Sequence, residues 1–208
     1  MLDNVKVYCH NSIKILDENI YFDPFKIEEE SKDANIIFIT HSHYDHFSEE
    51  DILKIKNENT KIVVTTDLEE RCLNLGFEDK NIIVVNPEEK HQIEDVRFDT
   101  IKAYNINKKF HPKENNWVGY VVEVKGKKYY VAGDTDWIPE MSSVICDVAF
   151  LPIGATYTMD VYEAEEATSW ISSKIFVPTH YGDIVGEKDL GKKFCSRVKN
   201  SIELIKFN

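Results

Sequence analysis

Three histidines and an aspartate lie within six consecutive residues, in the segment His41-Ser42-His43-Tyr44-Asp45-His46. Neutral imidazole and carboxylate are ligand types that zinc and neighbouring transition metals prefer in proteins. The chain has only 7 histidines, and histidines that are scattered singly usually serve as surface or core residues. The clustering therefore predicts a metal site rather than a solvated polar loop.

The spacing within this segment favours two metal ions. His41 and His43 are two residues apart in an extended loop, so both side chains can point the same way and share one ion. Asp45 and His46 are adjacent and would diverge, which suits a second ion close to the first.

Two further polar clusters each follow a strand-like apolar run. Asp134 lies in Gly133-Asp134-Thr135-Asp136, and His180 lies in Pro178-Thr179-His180-Tyr181-Gly182. Groups at the carboxyl ends of strands can converge on a common edge, where ligand sites often form. We therefore expect Asp134 to bridge two ions and His180 to complete the ligands of the second. Taken alone, Asp134 could equally be a turn aspartate, and His180 a buried structural histidine.

The elements that would position these clusters are read from apolar runs and turn signals. Strands are predicted at residues 5–8, 12–16, 19–22, 35–39, 61–65, 81–85, 118–124, 128–132, 147–151, 174–177 and 201–207, with 94–105 extended. Four helices are predicted, and the first starts after Ser48 as its N-cap. The second covers 68–75, with Thr66 or Asp67 as its N-terminal cap and Gly76 as its left-handed C-terminal cap. The third covers 161–171 and starts with a capping box of Asp160 and Glu163, and the fourth starts near Asp189. This order predicts packed sheets with helices outside them, in the α/β class.

Bulk properties limit the alternatives. The 208 residues suit a single domain over 1–208, and 42% hydrophobic residues indicate a globular chain. No apolar run is long enough to span a membrane, and the first residues lack a signal-peptide pattern, so we expect a cytoplasmic protein. The net charge of −12 disfavours nucleic acid and anionic membranes as partners. A small-molecule substrate is expected, and the oligomeric state stays open.

The 4 cysteines, Cys9, Cys72, Cys146 and Cys195, contain no C-x-x-C pair, which excludes a zinc ribbon. Each has apolar neighbours in sequence, so we expect four small buried side chains without disulfides.

The motifs together resemble a known family. His-x-His-x-Asp-His after a strand, Gly-Asp-Thr later and a histidine after a late strand resemble the metallo-β-lactamase fold of metal-dependent hydrolases, over nearly the whole chain. Segments 19–25, 132–136 and 178–182 look most like the branch that contains ascorbate-6-phosphate lactonase and predicted zinc-dependent hydrolases. The resemblance implies a four-layer αββα sandwich with a dinuclear site at its rim. It also implies metal ligands at His41, His43, Asp45, His46, Asp134 and His180.

One position departs from the family pattern. The family usually places another histidine at the end of the strand before the Gly-Asp hairpin, where this chain has Ala103-Tyr104-Asn105. Asparagine is a poor ligand for such an ion, and we expect His111 to be the ligand instead. A surface position or a substrate contact are the alternatives for His111. If neither residue binds, the site would be mononuclear.

The resemblance also bears on the reaction. Family members that reduce oxygen or nitric oxide at two irons carry Glu where His43 stands, which favours zinc hydrolysis here, with Mn²⁺ or Fe²⁺ open as substitutes. We expect one or two zinc ions to supply a metal-bound hydroxide that attacks an ester, lactone or amide of a small substrate. Asp134 would bridge the ions and Asp45 would orient the nucleophile. Asp136 either fixes a ligand histidine or is a turn residue.

Two other functions remain open at this point. Lys108, Lys109 and Lys113 lie beside His111, where they either form a solvated loop or attract an anionic substrate, and the second alternative keeps a phosphodiesterase as the second candidate. A non-catalytic metal-binding module is the third, although structural zinc sites are typically rich in cysteine and this ligand set has none. His10 has no assigned role.

Overall fold

The computed structural model describes residues 2–207. The chain divides into two compact units, Met1–Asn86 and Pro87–Asn208. Each unit contains its own six-stranded mixed sheet.

The sheet of the first unit has its strands in chain order. Strands β1 and β2 pair antiparallel, as do β2 and β3, and β3 to β6 are parallel. Two helices and three short 3-10 helices connect them. The bounds are β1 Val5–Val7, β2 Ile13–Ile15, β3 Ile20–Phe22, β4 Ile36–Phe38, α1 Glu49–Ile55, β5 Lys61–Thr65, α2 Glu69–Asn74 and β6 Ile82–Val85, with 3-10 helices Leu16–Glu18, Thr66–Leu68 and Asp79–Asn81.

The first unit has its core between one sheet face and the two helices. Ile37 and Ile62 from the central strands pack in the same buried cluster as Ile52 and Ile55 from α1. On the other face of the sheet, Phe38 stacks on a phenylalanine of β3. Strand β4 is therefore buried on both faces, which explains its continuous apolar sequence.

The sheet of the second unit runs in the order β12-β11-β10-β9-β8-β7. Strands β7 to β10 pair antiparallel, and β10, β11 and β12 are parallel. The bounds are β7 Lys90–Ile93, β8 Val96–Lys102, β9 Val118–Val124, β10 Lys127–Val131, β11 Ile145–Pro152, α3 Val161–Ala167, β12 Ser172–Thr179 and α4 Leu190–Arg197, with 3-10 helices Lys113–Asn115 and Pro139–Ser143.

Several local predictions are confirmed. The Ser48 side chain accepts a hydrogen bond from the backbone of Asp51 at the start of α1, and Asp160 with Glu163 forms a complete capping box on α3. Gly76, just past α2, has φ +77°, the left-handed conformation that favours glycine. Among the described residues, no helix is long and apolar enough to cross a membrane.

Other local predictions are wrong. Residues 201–207 do not form a strand: only Ser201 bridges to Phe176, because the alternating sequence of that segment is not accompanied by continued backbone pairing. Neither Thr66 nor Asp67 caps α2, since Asp67 accepts a hydrogen bond from Thr65 within a 3-10 turn that precedes the helix.

Two element boundaries also differ from the prediction. Helix α3 ends at Ala167 rather than at residue 171, because Ser169 and Trp170 close tight turns onto Glu166 and Ala167. The extended stretch predicted at 94–105 is only the second arm of a hairpin, whose first arm is β7. The expectation of four buried cysteines is correct for Cys72 and Cys146, whereas Cys9 and Cys195 are only half-buried.

Candidate metal centre

The predicted ligands of the first unit come together directly after β4. His41, Asp45 and His46 are buried, and His43 is partly exposed. The ring centroid of His41 lies 4.0 Å from that of His46 and 4.7 Å from that of His43. A short turn makes this possible, because the backbone N–H groups of His46 and Phe47 both donate to the carbonyl of His43.

A buried aspartate holds the ring of His46. Asp23 Oδ2 lies 2.7 Å from His46 Nδ1, and Asp23 is fully buried. Because a carboxylate accepts hydrogen bonds, Nδ1 carries the proton, and the Nε2 atom of a neutral ring is left with its lone pair. This carboxylate–histidine pairing is the arrangement that typically orients a metal-binding histidine. Sequence reasoning missed this role of Asp23.

The same aspartate acts on His41 through Thr40. The Thr40 hydroxyl donates to Asp23 Oδ2 at 2.7 Å, so it can only accept from His41 Nδ1, which lies 3.0 Å away. The Nε2 atom of His41 is then unprotonated, and it faces His43 Nδ1 at 3.1 Å. Two nitrogens bound to one tetrahedral zinc stand about 3.3 Å apart. The donor pair therefore fits a shared zinc ion.

His10 is a second residue that sequence reasoning left unassigned. Its ring is fully buried, and its Nε2 lies 3.0 Å from Asp45 Oδ2. Ligand atoms of His10, Asp45 and His46 all lie within 4.8 Å of one another. His10 therefore belongs to the cluster of the first unit, either by orienting Asp45 or as a donor itself. In the sequence, the only indication of this role was the position of His10 in the short connection between two strands.

The predicted ligands of the second unit also come together. Asp134 Oδ2 lies 2.9 Å from His180 Nε2 and 3.3 Å from His111 Nε2, and all three side chains are almost completely buried. Asp134 follows β10, and His180 follows β12 in the left-handed conformation at φ 58°. These separations again suit donors that share a zinc ion. Of the 7 histidines, His91 alone lies in neither cluster.

Asn105 contacts His111 rather than replacing it. Asn105 Oδ1 accepts from the backbone N–H of His111 at 3.0 Å and lies 3.0 Å from His111 Nδ1. The amide nitrogen of Asn105 donates to Asp136 and to the carbonyl of Tyr157. The geometry thus brings His111, not Asn105, to Asp134.

Asp136 organises the loop that carries His111. Its carboxylate accepts from Asn105 Nδ2, from the backbone N–H of Ile106 and from Lys108 Nζ. Asp136 thereby holds the asparagine that contacts His111. Of the two roles considered for Asp136, the structure therefore favours a supporting one over that of a simple turn residue.

Two of the three lysines beside His111, Lys108 and Lys113, are paired with carboxylates. Lys108 pairs with Asp136 and lies 3.7 Å from Glu163 Oε2. Lys113 donates to the hydroxyl of Tyr104 and lies 3.4 Å from Glu140 Oε1. The hydrogen bond to Tyr104, followed by the charge of Glu140, raises the pKa of Lys113 above its ordinary value. Their positive charge is therefore partly compensated within the protein.

Comparison with known proteins shows the family to which the chain belongs. Residues 9–181 match the family model described as the beta-lactamase superfamily domain, and the chain belongs to that family. The α/β metallo-β-lactamase fold expected from the sequence is confirmed.

Relatives and solved structures agree with this assignment. A UPF0173 metal-dependent hydrolase of Thermoplasma volcanium is 32% identical, over 79% of this chain and 76% of that protein. A second one, from Methanosphaera stadtmanae, is 30% identical over 95% of this chain and 92% of that protein. A crystal structure from Parabacteroides distasonis, described as a metal-dependent hydrolase, has a TM-score of 0.77 and 28% identity, covering 95% of this chain and 91% of its own. The protein is accordingly an enzyme, a metal-dependent hydrolase of this superfamily.

Proposed function

We propose that the protein is a zinc-dependent hydrolase of an ester, lactone or amide in a small molecule. The metal ligands are His41, His43, Asp45 and His46 in the first unit, and His111, Asp134 and His180 in the second. The observation that carries the proposal is that a buried oxygen lies within 3.0 Å of Nδ1 in each of three histidines. Asp23, Thr40 and Asn105 each accept from Nδ1 of a histidine, which leaves Nε2 as a metal donor.

The chemistry of the donors supports zinc. Imidazole nitrogen and carboxylate oxygen suit zinc, with Mn²⁺ or Fe²⁺ as substitutes, whereas a structural site would be closed and usually rich in cysteine. When bound, zinc lowers the pKa of a water molecule to about 7 and polarises a carbonyl oxygen. One or two ions are compatible with this number of donors.

The chain's own residues would divide the remaining work. Asp45 would orient the nucleophilic water, and His10, 3.0 Å away, would hold that carboxylate in place. Asp134 would bring its carboxylate to the metal between two histidines. An exposed aromatic side chain lies next to ligand residues in the sequence of each unit, Tyr44 in the first and Phe110 in the second, and either can contact an apolar group.

The lysine pairing bears on the choice of substrate. A phosphoester carries negative charge, and cationic side chains that are not already neutralised would add to the attraction of the metal. Lys108 and Lys113 are instead paired with Asp136 and Glu140, while Lys109 is exposed, so two of the three lysines attract a phosphate less than the sequence suggests. This favours a carboxylic ester, lactone or amide over a phosphodiester.

The proposal is tested by metal analysis together with a substrate panel. The purified protein is stripped with a chelator, reloaded with zinc or manganese, and assayed on chromogenic carboxylic esters, lactones, amides and phosphodiesters. We expect turnover of a carboxylic substrate that depends on the metal. His43→Ala and Asp134→Asn should lose metal and at least about 100-fold of that turnover.

His91→Ala is the matched control, since His91 lies in the second unit with a single carboxylate partner, Glu89, and should keep both metal and activity. A wild-type protein that takes up no zinc, or a His43→Ala variant with full activity, would contradict the proposal. Turnover confined to phosphodiesters would contradict the substrate class.

A further inference from the structure

We propose that Asn105 is a positioning residue that holds His111 in one tautomer and one orientation, with Nε2 directed at Asp134 as a metal donor. This rests on the proposed function, because it concerns the ligands of that metal. The inference reassigns the position where the family pattern would place a histidine. Asparagine at this position does not bind the metal but positions the residue that does.

The orientation of the Asn105 amide is determined by its surroundings. Asn105 Nδ2 lies 3.1 Å from Asp136 Oδ1 and 2.9 Å from the carbonyl oxygen of Tyr157. Both of these oxygens are acceptors, so the amide nitrogen must face them. On the opposite side, Oδ1 receives the backbone N–H of His111 at 3.0 Å. Three partners of fixed polarity thus exclude the flipped amide.

The amide orientation fixes the tautomer of His111. Asn105 Oδ1 can only accept, so His111 Nδ1, 3.0 Å away, carries the proton. In the neutral ring, Nε2 is then unprotonated. This Nε2 lies 3.3 Å from Asp134 Oδ2, at a separation suited to two donors of one zinc ion.

Asn105 also closes the loop that presents His111. The backbone N–H of Asn105 donates to the carbonyl of His111 at 2.8 Å, while its side chain accepts from the backbone N–H of His111. These two bonds join the ends of the segment 105–111. One residue therefore sets the position of the His111 backbone and the protonation of its ring.

Asp136 in turn holds Asn105 by a hydrogen bond. That carboxylate binds Asn105 Nδ2 and the backbone N–H of Ile106, and it lies two residues after Asp134. The loop with Asp134 and the loop with His111 are thus joined through the Asn105 amide. Loss of an outer partner of this kind typically weakens metal affinity about 10–100-fold.

Two variants separate the parts of this role. Asn105→Ala removes the acceptor for His111 and the donor to Asp136. Asn105→Asp keeps the acceptor but loses the donor. We expect zinc affinity, measured by competition with a chromogenic chelator, to fall about 10–100-fold in Asn105→Ala. Asn105→Asp should bind zinc more tightly than Asn105→Ala.

A spectroscopic measurement reports the tautomer without metal. Long-range proton–nitrogen NMR spectra of metal-free protein labelled with ¹⁵N-histidine distinguish a protonated Nδ1 from a protonated Nε2. The His111 signals are those missing from His111→Gln. We expect a protonated Nδ1 in the wild type and in Asn105→Asp, and loss of that preference in Asn105→Ala. A purely structural role for Asn105 would not produce this pattern.

Asn81→Ala is the matched control. Asn81 is a similarly buried asparagine in the first unit, and its amide donates to the carbonyl of Glu58. It should lower the melting temperature without changing zinc affinity.

The outcomes are distinguishable. Wild-type zinc affinity in Asn105→Ala, or a neutral His111 ring protonated on Nε2 instead of Nδ1 in the metal-free wild type, would overturn this inference and leave the hydrolase proposal standing. If Asn105→Ala does not fold, a folded Asn105→Asp without the Nδ1-protonated tautomer would overturn it. A wild-type protein that binds no zinc would overturn the hydrolase proposal, and this inference with it.

Discussion

At the scale of single residues, Asp23 is the shared partner of two histidines of the first unit, His41 and His46. It bonds His46 directly and His41 through Thr40. Three groups donate to Asp23 Oδ2, so the oxygen of Asp23→Asn would stay at that position. The new NH₂ group would take the place of Oδ1 and face the backbone N–H of Thr40, which is also a donor. We expect zinc affinity to fall about 10–100-fold, as measured by chelator competition.

Asp51→Asn provides the control for this prediction. Asp51 is also a buried aspartate of the first unit, and it accepts from the backbone N–H groups of Lys26 and Ile27. Its replacement should cost stability with no change in zinc affinity. Equal zinc affinity in the two variants would contradict the role of Asp23.

Single residues also show which parts of the candidate site the sequence alone could not predict. The spacing from His41 to His46 was sufficient to predict a dense ligand set, because its members are adjacent in the chain. Asp23 and His10 could not be found in this way: Asp23 is 23 residues from His46, and His10 is 35 residues from Asp45. Such pairs exist only once the strands that carry them are placed side by side.

At the scale of elements, Gly154 allows β11 and β12 to end close together. The backbone N–H of Ile153 donates to the carbonyl of Thr179, which brings the following residues, Gly154 and His180, into contact. A Cβ atom at Gly154 would collide with the carbonyl oxygen of His180 and lie 2.6 Å from Val185 Cγ2 and 3.3 Å from His180 Nδ1. The absence of a side chain at Gly154 therefore determines where His180 lies.

We predict that Gly154→Ala displaces His180 and lowers zinc affinity and turnover by about tenfold or more. Gly126→Ala is the control, because Gly126 has φ +77° but nothing lies within 4 Å of its added Cβ. It should cost about 1–2 kcal/mol of stability through backbone strain, with zinc affinity unchanged. Unaltered zinc affinity in a folded Gly154→Ala would refute the contact argument.

Elements were predictable where a local signal sufficed. The strands at 61–65 and 118–124 and the capping box at Asp160 coincide with the structure, because apolar patterns and caps act within a few residues. The strand predicted at 201–207 failed because a strand needs a paired neighbour, and only Ser201 has one. Strand β7 was missed because Lys90 to Gln92 lack an apolar pattern and are held by pairing with β8.

At the scale of the whole molecule, metal binding and folding stability are linked. A metal that binds the folded chain but not the unfolded one raises the free energy of unfolding by about 2.7 kcal/mol when its concentration is 100 times its Kd. For a chain of this size, each kcal/mol raises the melting temperature by about 2–4 °C. Zinc should therefore raise the melting temperature of the chelator-stripped protein by about 5–10 °C.

The effect should be specific to the metal and to its ligands. Calcium prefers sites made entirely of oxygen ligands, so it should not reproduce the shift produced by zinc. His46→Ala should abolish most of the shift, whereas His91→Ala, which removes the histidine outside the two clusters, should retain it. Differential scanning calorimetry of the wild type with zinc, with calcium and without metal, and of the two variants with and without zinc, measures these melting temperatures. An identical melting temperature for stripped and zinc-loaded wild type would mean that these buried histidines and aspartates do not hold a metal in the folded chain.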